Sequence, residues 1–121
     1  MAKIIIVEDN EFNMRLFSDL LQSQGHQVIE CPEGLEALDL IKQERPDLVL
    51  MDIQMPEISG LEVTRLIRST PEIAETKIVA ISAFAMPGDE DKILAAGCNA
   101  YIAKPISVPL FFQTVADNLP K

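Results

Sequence analysis

Short blocks of consecutive apolar residues alternate with longer stretches in which apolar positions recur every three or four residues, and the alternation repeats five times. Lys3 to Val7 carries the β-branched run Ile4-Ile5-Ile6-Val7, the pattern of a strand buried on both faces of a parallel sheet. Asn10 suits the N-cap of a helix whose stripe reads as Phe12, Leu16 and Leu20 with Phe17 and Leu21, ended by Gly25. Gln27 to Cys31 is a second strand, closed by Pro32. Leu35, Leu38 and Ile41 mark one face of a second helix, which must stop before Pro46 because a proline drives the residue ahead of it out of the helical region. Leu48 to Met51 is the third strand and runs into Asp52, and a loop with Pro56 and Gly60 leads to a helix carrying Leu61, Val63, Leu66 and Ile67. Ile78 to Ile81 is strand four, ending at Ser82. A weak helix from Asp89 to Ala96 has only Ile93 and Leu94 as large apolar residues. Ala100 to Ala103 is the last strand and reaches Lys104-Pro105, a candidate cis bond. The closing helix turns Val108, Phe111, Phe112, Val115 and Leu119 to one side.

Five strand–helix units predict an α/β fold: a doubly wound parallel sheet in the order 2-1-3-4-5 with helices on both faces. The 121 residues suffice for one domain, 1–121, with no repeat, linker or low-complexity tract. The closing helix runs almost to Lys121, so no output domain is expected. Nineteen acids against ten bases give a net charge of −9, which argues against nucleic-acid binding, since that needs clustered Lys and Arg. No apolar run approaches the roughly 18 residues of a membrane span, and the N-terminus lacks the pattern of a signal peptide, so the expected location is the cytoplasm. Cys31 and Cys98 form no CxxC pair and read as small buried side chains, and the lone His26 follows Gly25 in a turn without a second nitrogen ligand.

What ends each strand is the informative feature. Strand one ends in Glu8-Asp9, strand three in Asp52, strand four in Ser82 and strand five in Lys104. In the expected order these four strands are consecutive neighbours, and such sheets bind ligands outside the carboxyl ends of their strands. Three carboxylates, a hydroxyl and an ammonium should therefore share one crevice. Any one of these acids could serve only to cap the helix that follows, but all of them at strand ends in adjoining positions is a different matter. Two carboxylates 4 Å apart repel by roughly 4 kcal/mol at an effective dielectric near 20, so three need a cation or raised pKa values. An all-oxygen set selects a hard divalent ion, and partly hydrated Mg²⁺ (or Mn²⁺) fits few carboxylates plus a phosphate. Asp52 is then the candidate nucleophile, with Lys104 and Ser82 as clamps on phosphoryl oxygens.

Together, Glu8-Asp9, Asp52 after its apolar strand, Met55-Pro56 with Gly60, Ser82-Ala83, Tyr101 and Lys104-Pro105 resemble the receiver domain of bacterial two-component response regulators over the entire chain. The resemblance implies a CheY-like, flavodoxin-like fold. It implies Asp52 as phosphoacceptor, Asp9 and Asp52 as direct Mg²⁺ ligands, the Gln54 backbone carbonyl as a third, and Glu8 acting through water. Lys104 and Ser82 would contact the phosphoryl group, Ala83 would leave a route to it, and Ser82 with Tyr101 would form the switch. The blocks Glu8 to Met14, Pro56 to Val63 and Ala83-Phe-Ala-Met86 resemble stand-alone receivers that control cell division. The implied partners are a sensor histidine kinase, a phosphatase or histidine phosphotransferase, and a downstream protein at the helix 4–strand 5–helix 5 face. Asn13, Arg15 and Ser18 are candidates to border the crevice and meet the kinase.

Other functions fit the same fold, among them a shuttle that passes its aspartyl phosphoryl group to another protein. A haloacid-dehalogenase-type phosphatase also forms an aspartyl phosphate but needs a second Asp two residues on, where this chain has Gln54. A flavodoxin-like cofactor binder wants a glycine-rich first turn, and Glu8-Asp9-Asn10 would repel a nucleotide phosphate. The expected protein is therefore a phosphoacceptor, not an enzyme acting on outside substrates.

Overall fold

Strands β1 (Lys3–Val7), β2 (Gln27–Cys31), β3 (Leu48–Asp52), β4 (Ile78–Ser82) and β5 (Ala100–Ala103) form one parallel sheet in the order β2-β1-β3-β4-β5, as expected. Helices α1 (Glu11–Ser23), α2 (Ala37–Glu44), α3 (Gly60–Arg68), α4 (Asp89–Ala95) and α5 (Val108–Asp117) follow them in turn. The computed structural model describes residues 2–83 and 88–120, so the Phe84 to Met86 part of the block beginning at Ala83 lies outside the described residues.

Alternation along the strands divides the core in two. Ile5, Val7, Val49, Met51 and Ala80 face α2, α3 and α4, where they meet Ile41, Val63, Ile67 and Ile93. Ile4, Ile6, Leu50 and Val79 face α1 and α5, where they meet Phe17, Leu21, Phe111 and Val115. The Phe17 and Phe111 rings stack with centroids 5.7 Å apart and tie α1 to α5. Every residue of β3 and β4 is buried, which is why those strands read as unbroken apolar runs.

The face of α1 differs from the expected stripe. Met14, Phe17, Ser18 and Leu21 are buried, Leu16 and Leu20 only partly, and Phe12 is 75% exposed. Positions 12, 16 and 20 drift by about 40° at each four-residue step, whereas 14, 17, 18 and 21 stay on one side. Asn10 caps the helix as expected, its side chain accepting from the Asn13 amide at 2.9 Å. Leu35 is exposed because Gly34–Glu36 forms a 3-10 turn ahead of α2, and α2 itself buries Ala37 and Ile41. Leu66, Leu94 and Val108 are also exposed, which leaves Ile93 the only fully buried large apolar residue of α4. The Lys104-Pro105 bond is cis. Cys31 and Cys98 are buried free thiols, each pushed up in pKa chiefly by burial, and His26 Nδ1 accepts from the Ala2 amide at 3.2 Å. Among the described residues no helix is long and apolar enough to cross a membrane.

Candidate functional site

Four neighbouring strands end at one level. Val7 pairs with Met51, Asp52 with Ile81 and Ser82 with Ala103, so Glu8, Asp52, Ser82 and Lys104 leave the sheet side by side. Carboxylate oxygens of Glu8, Asp9 and Asp52 lie within 4.8 Å of one another. Glu8 and Asp52 are 2% and 3% exposed, whereas Asp9 opens to solvent. Lys104 Nζ stands 3.5 Å from both Glu8 Oε1 and Asp52 Oδ1. The crevice inferred from strand ends is thus present, with the ammonium brought in from the end of β5.

The backbone around the acids is shaped to hold them. The Asn10 amide donates to Glu8 Oε2 at 3.2 Å, and the Gln54 amide donates to Asp52 Oδ1 at 3.0 Å. The Gln54 side chain crosses to the next loop, where its Oε1 accepts from the Ala83 amide at 3.0 Å. Sequence reasoning gave Gln54 a backbone role only; a polar side chain two positions past a strand-ending acid was the available signal for more. Ser59 caps α3 by accepting from the Leu61 amide at 3.1 Å, and the Gly60 amide donates to the Ile53 carbonyl at 3.1 Å. A β-carbon on Gly60 would overlap the Asp52 carbonyl oxygen and lie 3.0 Å from both the Asp52 carbonyl carbon and Ile53 Cα. The helix can therefore start against the strand end only with glycine in that place.

Ser82 is fully buried at the end of β4, one step beyond the Asp52–Ile81 pair. Tyr101, opposite Ala80, is half-buried on β5 and packs on the α2–α3–α4 side of the core. Arg15 and Ser18 border a cleft of about 590 Å³ together with Glu8 and Asp9. Ser18 is itself buried, however, so of the three α1 residues expected at a partner surface only Asn13 and Arg15 offer more than an edge.

Electrostatics agree with a site built for a cation. Burial, and then the adjacent Asp52 carboxyl, push Glu8 up to about 7, against the opposing pull of the Asn10 amide and Lys104. One ammonium does not offset three clustered carboxylates. All three donors are hard oxygens, the set that suits Mg²⁺. The raised pKa has a consequence for the metal-free fold. Between about 4.5 and 7 the native chain holds a proton on Glu8 that the unfolded chain has released. Stability from this group is therefore complete below 4.5 and lost as pH rises through 7. Glu8→Gln should flatten that slope and raise stability at pH 8, with chelator present, by on the order of 2 kcal/mol; denaturant midpoints at pH 5 and pH 8 check this, and a variant that keeps the wild-type slope contradicts it.

Residues 4–116 match the model of the response regulator receiver domain family. The chain belongs to that family. Among its relatives, the polar-differentiation response regulator DivK of Brucella anthropi is 53% identical over 116 residues, covering 96% of this chain and 94% of that one. The chemotaxis response regulator CheY4 of Vibrio cholerae superposes with a TM-score of 0.91 at 26% identity, covering 98% of this receiver and 99% of CheY4. The receiver domain of sensor histidine kinase PA1611 from Pseudomonas aeruginosa, solved with a magnesium ion coordinated in its active-site cleft, superposes with a TM-score of 0.88 at 32% identity. It covers 96% of this chain and 95% of its own. The receiver fold is thus common to this chain and these relatives, and the Glu8, Asp9 and Asp52 cluster of this chain is a donor set that fits Mg²⁺.

Proposed function

We propose that this receiver takes a phosphoryl group from a sensor histidine kinase on Asp52 and signals, as a cytoplasmic regulator, through a protein contact that depends on that phosphorylation. The observation that carries this reading is the convergence of buried Asp52 with Glu8 and Asp9 on one side and Lys104 on the other. An Asp52 carboxylate oxygen attacks the donor phosphorus; the bond from phosphorus to its leaving nitrogen or oxygen breaks, and a mixed anhydride remains on the chain. Lys104 and the Ser82 hydroxyl take phosphoryl oxygens and hold the charge that develops there. Asp9, Asp52 and the Gln54 carbonyl would hold Mg²⁺ (or Mn²⁺), and Glu8 would act through water. When bound, such an ion would supply positive charge against the repulsion between Asp52 and an incoming phosphoryl group.

The new phosphoryl adds nearly two negative charges at one spot. Ser82 and Tyr101 answer it as the switch, and the output partner reads the α4–β5–α5 face, where Leu94, Val108 and Leu110 are exposed. Likeness to DivK supports a role in cell-division control. A histidine phosphotransferase or phosphatase would complete the relay. Gln54 in place of a second aspartate argues against turnover of outside phosphomonoesters.

Incubation with labelled acetyl phosphate and Mg²⁺ tests the reading. It predicts incorporation approaching one phosphoryl group per chain, none in chelator, and negligible steady-state hydrolysis of phosphomonoesters; rapid, sustained hydrolysis would favour a phosphatase instead. Lys104→Ala should slow labelling about a hundredfold, because a preorganised cation at the developing charge is gone. Calorimetric Mg²⁺ affinity should be retained or tightened in that variant, since a competing cation has been removed. Labelling at the wild-type rate would remove Lys104 from the mechanism.

A further inference from the structure

The two ends of α4 are capped differently. Its head, at the site end of the sheet, follows Gly88, which has a φ of 92° and no side chain with which to cap the first turn. Its foot, at the far end, is locked. The Gly97 amide donates to the Leu94 carbonyl at 3.0 Å and the Cys98 amide to the Ile93 carbonyl at 3.4 Å, the paired bonds of a Schellman end with Gly97 in the left-handed region at a φ of 116°. Over that glycine lies Arg68 from the end of α3. A β-carbon on Gly97 would come within 2.8 Å of Arg68 Cγ, so glycine serves both the turn and the contact.

The guanidinium then gathers everything around the foot. Arg68 Nε donates to the Gly97 carbonyl at 2.9 Å, Nη1 to the carbonyls of Ala74 at 2.8 Å and Thr76 at 2.6 Å, and Nη2 to Asn99 Oδ1 at 2.9 Å. Asn99 Oδ1 also accepts from the Ile78 amide at 2.8 Å, and the Asn99 amide donates to the Ile78 carbonyl at 2.7 Å. One planar fork thus joins α3, the loop before β4, the first residue of β4 and the end of α4. Hydrogen bonds from a charged donor are stronger than those between neutral groups, and lysine cannot reproduce the fork. Along the helix itself Ile93 is the only large apolar anchor.

We propose that Arg68 is the pivot of α4: a phosphoryl group at the site displaces the head of the helix while the foot stays fixed against Arg68, Gly97 and Asn99. The proposal rests on the receiver reading given above. It assigns Arg68 a positioning role at the end of the sheet opposite the chemistry, and it makes the motion a rotation about one end rather than a shift of the whole helix.

Amide hydrogen exchange of the intact protein, with and without beryllium fluoride plus Mg²⁺ as phosphoryl mimic, tests it. Fluorine resonances of bound beryllium fluoride report occupancy independently. In the wild type, exchange should change severalfold over residues 88–92 and stay within twofold over residues 96–99. In Arg68→Lys, the change should spread to residues 96–99, whose exchange without the mimic should already be about tenfold faster. Asn99→Ala, which removes one arm of the network, should give a weaker version of the same spread. Bound mimic with equal changes at both ends of wild-type α4, or a pattern unaltered by either substitution, overturns the pivot alone. Absence of bound-fluoride resonances overturns the receiver reading, and the pivot falls with it.

Discussion

Replacing Asp52 by asparagine is expected to reduce phosphoryl incorporation from acetyl phosphate by about a thousandfold or more, the scale on which enzymes lose rate when a nucleophile is removed. The side-chain amide carries no formal negative charge and its nitrogen lone pair is delocalised into the carbonyl, so it is far too weak a nucleophile to attack phosphorus. The fold should not suffer. The substituted carboxamide would still offer an oxygen to the Gln54 amide, and a charge would leave a buried cluster in which Glu8 is already pushed up to about 7. Stability at pH 8 in chelator should therefore hold or rise. The pairing of lost labelling with a preserved denaturation midpoint separates loss of chemistry from loss of structure. Labelling that persists at the wild-type rate would place the acceptor elsewhere.

Gly60→Ala should have the largest structural effect of any single methyl group added near the site. The new β-carbon would overlap the Asp52 carbonyl oxygen. Neither neighbour can yield cheaply, because Asp52 ends a strand bonded on both sides and Gly60 is tied by its own amide to the Ile53 carbonyl. Overpacking a close-packed interior typically costs 1–3 kcal/mol, and a clash with backbone belongs at the top of that range, so about 3 kcal/mol is expected from equilibrium denaturation. The helix start must move away from the strand end, which draws on the loop that carries the Gln54 amide. Labelling should fall as well, in the fraction that still folds. An unchanged denaturation midpoint would show that the α3 start is free to shift.

The strand order and the crevice were legible because they depend on features that sequence carries directly. Unbroken β-branched runs mark strands buried on both faces, and polar residues at their ends mark the level at which the sheet stops; Glu8, Asp9, Asp52 and Lys104 needed nothing more. Helix faces were less legible. Phe12 looked like core because it is large and apolar, yet it lies about 200° around the helix from Met14, and which side is buried is settled by the packing of Met14, Phe17 and Leu21 against the sheet and α5. Leu35 misled for a related reason, since a 3-10 turn precedes α2 and does not continue its face. Arg68 gave no local sign at all. Its acceptors are backbone carbonyls of Ala74, Thr76 and Gly97 and the side chain of Asn99, brought together only by the crossover from α3 to β4 and the return through α4. Likewise the reason for glycine at position 60 is a close approach between elements, visible only once α3 is set against β3.

The proposed chemistry stands or falls on where the phosphoryl group resides. Borohydride reduction of the phosphorylated chain converts an aspartyl phosphate to homoserine, and peptide mass spectrometry then locates it. Homoserine at position 52, absent when Mg²⁺ is withheld, is the predicted result; homoserine at another acid, or none in a chain that has taken up phosphate, would contradict it.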